Sequence, residues 1–226
     1  MNTAIIVAGG SGLRIGGDIP KQFLEAHGKP IIITCVENFD RHDEIHQVIV
    51  VCRPEYAGFV LQKAKEFGIR KLKSIADAGK TRQESVLSGL SAAAGSDIVL
   101  IHDAARPLVS QRIISDNIHA VKTQGAAVTA IPAIDTTFIS KDGVFAGQSL
   151  ARDEMFRAQT PQSFRYDLIL SAHKSANAAN ATDDCQLALA AGYKVAIVKG
   201  DELNFKITTP EDLERFISIA QKGQTP

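Results

Sequence analysis

A glycine-rich segment near the amino terminus carries residues suited to binding a nucleotide. It follows the apolar run Ala4–Val7, so its backbone amides should lie at the carboxyl edge of a sheet, where α/β proteins bind nucleotides. Glycines allow the backbone to approach phosphate closely, and Arg14 and Lys21 add two positive charges that suit a triphosphate. Residues 8–21 therefore predict a nucleoside triphosphate site with two catalytic cations. The backbone contacts are expected from Ala8, Gly9, Gly10 and Gly12.

Two other glycine-loop motifs do not fit this segment. The dinucleotide fingerprint G-x-G-x-x-G requires glycine where the chain has Ile15, and Arg53 stands where a ribose-binding acid is expected. A Walker A loop is excluded because Lys21 is followed by Gln22. An NAD(P)-dependent oxidoreductase is the alternative from another class, although the sequence offers no hydride-transfer site for it. A nucleotide-binding module without catalytic activity is the third hypothesis.

Polar residues follow the apolar run Ile98–Ile101 and should emerge at the same edge of the sheet. Asp103 can accept hydrogen bonds from substrate hydroxyls, and the planar guanidinium of Arg106 can bind a phosphate or a polyol. The alternative is an Asp–Arg pair that only holds a loop. We interpret His102 as a structural hydrogen-bonding group and not as a catalytic base.

Three further segments allow both a structural and a functional interpretation. The turn Ala78–Ser85 leads into a predicted helix, so it either caps that helix or contacts a base or triphosphate. The acidic residues of Thr182–Asp184 fit a helix N-terminus better than a metal pair. Capping by Thr208 or Thr209 explains those threonines, but it does not explain Lys206 between two apolar residues.

Strands and helices must position these residues. Several Val- and Ile-rich runs are apolar at every position, as in parallel strands that helices cover on both faces. The predicted fold is α/β, a three-layer Rossmann-like arrangement with a mostly parallel twisted sheet, and residues 1–226 form a single domain. Strands are predicted at Ala4–Val7, Val48–Val51, Ile98–Ile101, Ala127–Ile131 and Val195–Val198. Helices are predicted at Pro30–Asp40, Pro54–Phe67, Gln83–Ala94, Gln111–Thr123, Asp167–Ala176 and Pro210–Gln221.

The segment Asp135–Gln159 interrupts this alternation. Short β-like pieces flank the turn Lys141–Gly143, which predicts a protruding β-hairpin arm. An isolated hairpin cannot bury a face, so the arm must pack on another surface. A second copy of the chain is the simplest partner, and a homodimer with exchanged arms is expected.

The composition limits the possible partners. Lys plus Arg equals Asp plus Glu at 25 each, so no basic field would attract nucleic acid or an anionic membrane surface. No apolar run approaches the roughly 18–20 residues of a membrane span, and no secretory leader precedes the first strand, so a cytosolic protein is expected. The three cysteines are widely spaced and include no Cys-x-x-Cys pair, so they do not predict a zinc site. Any metal is expected to be Mg²⁺ carried with the phosphates.

Ordered blocks along nearly the whole chain resemble one enzyme family. They are the glycine segment with Pro20–Leu24, then Arg82–Val86, His102–Pro107, Asp135–Thr136, Arg152, Gln159–Phe164, Thr182–Asp184 and Asn204–Thr208. Together these blocks resemble the cytidylyltransferases that act on methylerythritol 4-phosphate and ribitol 5-phosphate. The resemblance implies a nucleotidyltransferase fold and two substrates, CTP and a small polyol phosphate.

The same resemblance implies roles for individual residues. Arg152 and Thr160 are expected in the active site of the neighbouring subunit. The chain departs from the family at Ala78 and Lys80, because the family commonly has two glycines ahead of its arginine. The implied nucleotide contacts are Gly79, Lys80, Ser85 and Ala104, and the implied acceptor contacts are Asp103, Arg106, Thr136, Arg152, Thr160 and Lys206.

The blocks divide between the two branches of the family. His102–Pro107 and Thr182–Asp184 are similar to the methylerythritol phosphate enzymes, whereas Arg152–Met155 and Gln162–Phe164 are similar to the ribitol phosphate enzymes. We favour methylerythritol phosphate and keep ribitol phosphate as the alternative, since the two acceptors differ by only one methyl branch and one carbon of chain. The expected reaction is attack of the acceptor phosphate on the α-phosphorus of CTP.

Overall fold

The computed structural model describes residues 1–10, 19–175 and 181–221. These residues form nine strands, seven α-helices and two short 3-10 helices, Lys21–Phe23 and Arg152–Glu154. The strands are β1 (Asn2–Val7), β2 (Glu25–Ala26), β3 (Lys29–Pro30), β4 (Gln47–Cys52), β5 (Leu72–Asp77), β6 (Ile98–Asp103), β7 (Ala126–Pro132), β8 (Phe156–Arg165) and β9 (Ala196–Lys199). The helices are α1 (Ile31–Asp40), α2 (Pro54–Glu66), α3 (Arg82–Ala92), α4 (Gln111–Gln124), α5 (Tyr166–Lys174), α6 (Asp184–Ala190) and α7 (Pro210–Gln221).

Seven strands form one mostly parallel sheet in the order β5-β4-β1-β6-β8-β7-β9. β1 pairs in parallel with β4 and β6, β4 pairs in parallel with β5, and β7 pairs in parallel with β9. Only β8 runs antiparallel, between β6 and β7. The mostly parallel α/β arrangement predicted from the apolar runs is confirmed. Because β1, β4, β5 and β6 are parallel, the loops that follow them meet at one edge of the sheet.

The sheet is covered on both faces, which gives the predicted three layers. In β1, Ala4 and Ile6 pack against α1, α2 and α4, whereas Ile5 packs against α3, α5 and α6. All three of these β1 side chains are fully buried. Burying one large aliphatic side chain contributes about 1.5–3 kcal/mol, so the strands need apolar residues at every position to hold both helix layers.

A third apolar cluster connects two segments that matter for the site. Ala26 of the β2–β3 hairpin, Ile207 and Phe216 of α7 are buried together with Leu108. The hairpin follows Lys21 directly, and Ile207 follows Lys206. This cluster therefore gives a rigid support to both predicted cationic residues.

Several elements of the structure were not predicted from the sequence. They are β2, β3, β5, the larger part of β8, α6 and the two 3-10 helices. The predicted arm ends too late, because Phe156–Gln159 already belongs to β8 and pairs with β7. The projecting segment therefore comprises residues 133–155, which we call the arm.

The arm follows a hairpin-like path but contains no paired strands. Its two sides are joined by an isolated bridge between Phe138 and Ser149, and the backbone N–H of Ile139 donates to Gln148 at 2.8 Å. The predicted turn is present: Gly143 has φ +72°, and the Asp142 carboxylate accepts from two backbone N–H groups beyond it. Most arm side chains are exposed, including Ile134, Phe138, Ile139, Val144 and Phe145.

Candidate active site

A cleft of about 750 Å³ lies where the loops after β1, β4, β5 and β6 meet. Its size falls within the range of roughly 300–1,000 Å³ that is usual for small-molecule sites. One side is lined by predicted nucleotide-binding residues, and the other by predicted acceptor-binding residues. The predicted residues that line the cleft are Ala8, Gly9, Gly10, Lys21, Gly79, Lys80, Ser85, Asp103, Ala104 and Lys206. Arg14 and Gly12 lie outside the described residues.

The glycine segment is held in place by the side chain of Gln22. Its Nε2 donates to the backbone oxygens of Ala8 at 2.7 Å and Gly10 at 2.8 Å, and only 3% of its surface is exposed. The Ala8 N–H donates to Val51 of β4 at 2.7 Å. Sequence reasoning did not assign Gln22 a role, although its place beside Lys21 in the matching block was a signal.

Lys21 lies in the 3-10 helix at the end of the glycine loop and lines the cleft. Only 8% of the residue is exposed, so its charge acts in an environment with less water than the surface. The next residue but one, Phe23, stacks on Tyr56 of α2 with ring centroids 4.1 Å apart. This stacking holds the short 3-10 helix, which includes Lys21, against helix α2.

The loops after β1 and β5 approach each other at Gly9. A Cβ atom at this position would lie 2.6 Å from the Cβ of Ala78 and 3.2 Å from the hydroxyl of Ser85. The Ala78 N–H also donates to Cys52 of β4 at 2.9 Å, so the second loop has little freedom to move away. Glycine is therefore required at position 9 by the close approach of two backbones.

We expect the Gly9→Ala substitution to destabilise the protein by about 1–3 kcal/mol, the usual cost of overpacking. Gly10→Ala is the matched control, because a Cβ at Gly10 meets nothing within 4 Å. Thermal unfolding of both variants checks this expectation. Equal melting temperatures for the two variants would show that the contact between Gly9 and Ala78 imposes no constraint.

The turn Ala78–Ser85 caps helix α3 and lines the cleft as well. The Thr81 hydroxyl accepts from the Glu84 N–H at 3.1 Å, and the Ser85 hydroxyl accepts from the Gly79 N–H at 3.1 Å. The capping interpretation of this turn is therefore confirmed, while its contact with a base or triphosphate stays a prediction. A Cβ at Gly79 would lie 2.2 Å from the Cβ of Glu84, so the turn also requires its glycine.

On the other side of the cleft, Asp103 is held between two cations. Its Oδ2 lies 2.8 Å from Lys206 Nζ, and its Oδ1 lies 3.7 Å from Arg82 Nε. Burial alone would raise the pKa of Asp103, but Lys206 and Arg82 outweigh it and hold that pKa far below its usual range. Asp103 is therefore a carboxylate at every pH near neutrality. Lys206 remains reachable, since 38% of its side chain is exposed.

Hydrogen bonds of Thr160 and His102 hold the backbone around Asp103 in place. The Thr160 hydroxyl accepts from the Asp103 N–H at 3.1 Å and lies 3.0 Å from His102 Nδ1, while His102 Nε2 lies 3.0 Å from the Arg106 carbonyl oxygen. Because that carbonyl can only accept, Nε2 carries the proton and Nδ1 accepts from Thr160. The expected structural role of His102 is confirmed. Thr160 is 4% exposed and bonded within its own chain, and its expected place in the active site of a neighbouring subunit stays a prediction.

His102 should make the stability of the protein depend on pH. Burial lowers the pKa of His102 to about 4, whereas the unfolded chain has the ordinary value near 6.5. Between these values the unfolded state binds more protons, so stability is fully present above pH about 6.5 and falls as the pH approaches 4, by up to roughly 3 kcal/mol.

We expect His102→Gln to flatten this pH dependence, whatever its effect on absolute stability. Denaturant unfolding at several pH values between 4 and 7 gives the slopes. A smaller slope remains, because burial also lowers the pKa of His42. His119→Gln, which changes an exposed histidine, is the control and should keep the wild-type slope. Parallel curves for wild type and His102→Gln would contradict the assignment.

Arg106 does not line the cleft as expected. Its NH1 donates to the Asn204 carbonyl oxygen at 2.7 Å, and its Nε is buried without a hydrogen-bond partner. The residue thus ties the loop after β6 to the segment before Lys206, which matches the alternative of a loop-holding pair. Binding of the acceptor by Arg106 stays a prediction.

Other predicted residues lie away from the cleft or act as caps. Thr136 and Arg152 are exposed on the arm and its end. Asp183 caps α6 by accepting from the Gln186 N–H at 2.9 Å, so the capping interpretation of Thr182–Asp184 is confirmed. Thr209 and Asp212 form a reciprocal cap at the start of α7.

No group of three or more His, Cys, Asp or Glu side chains in the described ranges could hold a metal ion. Among the helices of those ranges, none combines the length and apolar character needed to cross a membrane.

Arg82 is the main residue of the site that the sequence prediction left without a role. It lines the cleft, lies 3.7 Å from Asp103, and makes a second charged contact with Asp184 at 2.8 Å. Its place in the matching block Arg82–Val86 was the only signal in the sequence, because neither partner is near it along the chain.

Comparison with protein families gives one match along almost the entire chain. The model of the family described as IspD, 2-C-methyl-D-erythritol 4-phosphate cytidylyltransferase, matches residues 2–221. Curated proteins of that name from Clostridium novyi and Geobacillus kaustophilus are each 40% identical to the chain. The first alignment covers 99% of the chain and 98% of the relative, and the second covers 93% and 92%.

Solved structures share the fold as well. The 4-diphosphocytidyl-2C-methyl-D-erythritol synthase from Anaerococcus prevotii superposes with a TM-score of 0.85 at 30% identity, covering 97% of this chain and 96% of that one. The 2-C-methyl-D-erythritol 4-phosphate cytidylyltransferase from Thermus thermophilus gives a TM-score of 0.75 at 31% identity, covering 96% and 98%.

Proposed function

Because the chain belongs to the 2-C-methyl-D-erythritol 4-phosphate cytidylyltransferase family, we propose that it transfers a cytidylyl group from CTP to 2-C-methyl-D-erythritol 4-phosphate. The products are the CDP-alcohol and pyrophosphate, and the reaction is a step of isoprenoid precursor synthesis. The cytosolic location predicted from the sequence is part of the same proposal.

A single observation carries this proposal. One cleft contains a nearly buried lysine, Lys21, next to the glycine segment, and a fixed carboxylate–lysine pair, Asp103 and Lys206, on its other side. The first set suits the phosphates of a nucleotide, because backbone N–H groups and a cation favour anions. The second set suits a polyol phosphate, since a carboxylate accepts from hydroxyls and an exposed ammonium binds phosphate.

The chemical step needs alignment more than proton transfer. An oxygen of the acceptor phosphate attacks the α-phosphorus of CTP, a new phosphorus–oxygen bond forms, and the bond from the α-phosphorus to the bridging oxygen breaks to release pyrophosphate. A phosphate monoester has a second pKa near roughly 6, so it is already largely a dianion near neutrality. No general base is required, and the neutral, buried His102 is consistent with that.

Lys21 and Arg14 are proposed to neutralise the charge that builds up on the α-phosphoryl group. Lys21 does so in a site with little water, where a fixed cation acts more strongly than at the surface. Lys206 and Asp103 orient the acceptor, and the glycine segment with the turn Ala78–Ser85 orients the nucleotide.

Mg²⁺ is proposed to enter with CTP and not in a protein-ligand cage. In the part of the chain that is described, no cluster of three potential ligands exists, and the Asp103 carboxylate is taken up by Lys206 and Arg82. These features fit an ion that the triphosphate oxygens hold. When bound, it supplies further neutralisation of phosphate charge.

A homodimer with exchanged arms is proposed to complete the acceptor site. The arm projects from the sheet with apolar side chains that are 46–74% exposed, such as Phe138, Ile139, Val144 and Phe145. Several large apolar groups on one protruding segment favour contact with another protein surface. Thr136 and Arg152 are exposed at the two ends of this arm, where they can reach a neighbouring copy.

The two branches of the family are separated by the relatives that match. Curated proteins at 40% identity over nearly the full chain carry the methylerythritol phosphate name. The ribitol phosphate reading rested on Arg152–Met155 and Gln162–Phe164, but the second of these blocks lies in β8. There Gln162 and Ser163 bond to other parts of the protein, and both are buried.

A pyrophosphate-release assay tests the proposed function. CTP, UTP, ATP and GTP are crossed with methylerythritol 4-phosphate, ribitol 5-phosphate and related pentose phosphates, with Mg²⁺ present. We expect release above background with CTP and methylerythritol 4-phosphate, and much less with every other pair. Highest activity with ribitol 5-phosphate would transfer the protein to the other branch, and no release from any pair by folded protein would refute the enzyme.

A further inference from the structure

Arg82 lies between two carboxylates that belong to different parts of the fold. Its NH1 is 2.8 Å from Asp184 Oδ2, and its Nε is 3.7 Å from Asp103 Oδ1. Asp184 begins helix α6, Asp103 ends strand β6, and Arg82 begins helix α3. The guanidinium therefore links the start of helix α6 to the cleft lining.

The Asp184 side of this contact is closed to water. The Asp184 side chain has no exposed surface, and its Oδ1 lies 3.0 Å from Nε2 of His173, which is 2% exposed. A buried carboxylate is costly unless a cation and hydrogen bonds compensate it. Arg82 is the cation that does so, and burial works against its charge less strongly than Asp184 and Asp103 favour it, so the pKa of Arg82 is raised.

The Asp103 side of the contact faces the cleft. Arg82 keeps 27% of its side chain exposed and belongs to the cleft lining, whereas Lys206 reaches Asp103 from another direction and binds the other carboxylate oxygen. Two cations on two different oxygens fix the plane of the carboxylate, because a rotation would lengthen both contacts. Lys206 approaches only Oδ2, so Arg82 is the cation that restrains Oδ1.

We propose that Arg82 is a positioning residue of the acceptor site, anchored by buried Asp184 so that it holds Asp103 in the orientation that receives the acceptor. This inference rests on the proposed function, since it needs a polyol phosphate bound at Asp103 and Lys206. The planar, multi-donor guanidinium suits this bridging position, while a lysine carries one point charge and cannot contact both carboxylates in the same way.

Steady-state kinetics of Arg82→Gln and Arg82→Lys test the proposal, with CTP and the acceptor varied separately. We expect the KM for the acceptor to rise about tenfold or more in Arg82→Gln and less in Arg82→Lys, while the KM for CTP stays within about twofold. A substitution that only destabilised the protein would lower the active fraction, which reduces kcat and leaves both KM values unchanged. An unchanged acceptor KM, or equal rises for both substrates, overturns the proposal.

A double-mutant cycle asks whether Arg82 acts through Asp103. If it does, Arg82→Gln should raise the acceptor KM much less in an Asp103→Asn background than in the wild type. Full additivity of the two effects overturns the proposal. Arg41→Gln is the matched control, because it removes an exposed arginine paired with a carboxylate, Glu37, and neither residue lines the cleft. It should leave both KM values unchanged.

The positioning role can be tested even if Arg82→Gln does not fold, and separately from the proposed function. If Arg82→Gln does not fold, Arg82→Lys carries the test, since it keeps the charge that Asp184 needs: an acceptor KM raised several-fold supports the proposal, and a wild-type value overturns it. The proposed function fails separately, when wild-type protein releases no pyrophosphate from CTP and the acceptor. A working wild type with unaffected Arg82 variants therefore refutes only the positioning role.

Discussion

Replacing Lys21 by glutamine should lower kcat by about 100- to 1,000-fold, the range seen when one group that stabilises a transition-state charge is removed. The affinity for CTP should fall only a few-fold, because the glycine segment and the turn Ala78–Ser85 remain in place. Lys21 is 8% exposed and rigidly held, so the positive charge is already in position when negative charge develops on the α-phosphoryl group. Glutamine keeps a polar, uncharged side chain that is only one atom shorter, so the substitution mainly removes the charge.

Pyrophosphate release gives kcat, and calorimetric titration gives the affinity for CTP. Lys122→Gln is the control, since it removes an exposed lysine paired with Glu44 at 2.8 Å outside the cleft and should change neither value. Parallel losses of kcat and CTP affinity in Lys21→Gln would mean that Lys21 binds the ground state as strongly as the transition state. That result would remove it from the catalytic step.

The central sheet could be predicted because its strands are buried on both faces. Runs such as Val48–Val51 and Ile98–Ile101 are short and apolar at every position, as is typical of parallel strands that helices cover on both faces. β5 was missed for the opposite reason: it is an edge strand whose residues are mostly half-buried, and its sequence contains Lys73, Ser74 and Asp77. No hydropathy pattern distinguishes such a strand from a loop.

β8 was missed because it buries polar side chains. All four polar residues Gln159, Thr160, Gln162 and Ser163 are nearly or fully buried. A hydropathy pattern predicts a turn for such a run of polar residues. Each is compensated by a partner distant in sequence, such as Asn117 for Ser163 and Asp183 for Gln162. Those partners are visible only after the chain has folded.

The site was predictable where its residues follow strands and unpredictable where it depends on tertiary contacts. The glycine segment and Asp103 come at the ends of predicted strands, so the strand pattern placed them at one sheet edge, whereas the turn Ala78–Ser85 follows β5, which was missed. Arg82 and Asp184 lie on different helices, and their contact depends on how α3 and α6 pack. The sequence also did not reveal that β8 lies beside β6, which brings Thr160 next to the backbone of Asp103.

Mixing two inactive variants, one of them altered at the end of the arm, should restore part of the enzyme activity. If Arg152 completes the site of the partner subunit, Arg152→Gln and Lys21→Gln each inactivate the homodimer. Lys21→Gln impairs the site of its own chain, whereas Arg152→Gln impairs the site of the partner. In a mixed dimer, one site receives both defects and the other receives none. After subunit exchange half of the dimers are mixed, so about a quarter of wild-type activity should return in a two-fold symmetric assembly.

The recovered fraction is what distinguishes this arrangement from one in which every site is built within a single chain. In the latter case each substitution inactivates the site of its own chain, and the activity of a mixture does not exceed the sum of the activities of its components. Subunit exchange is checked by native mass spectrometry of differently tagged chains, so that a lack of recovery is interpreted only when mixed dimers are present. A second mixture, Lys21→Gln with Asp103→Asn, is the internal control: both residues line the cleft of one chain, so its activity should not exceed the mean of the two variants alone. Recovery there would place Lys21 and Asp103 in different sites and contradict the single cleft on which the function rests.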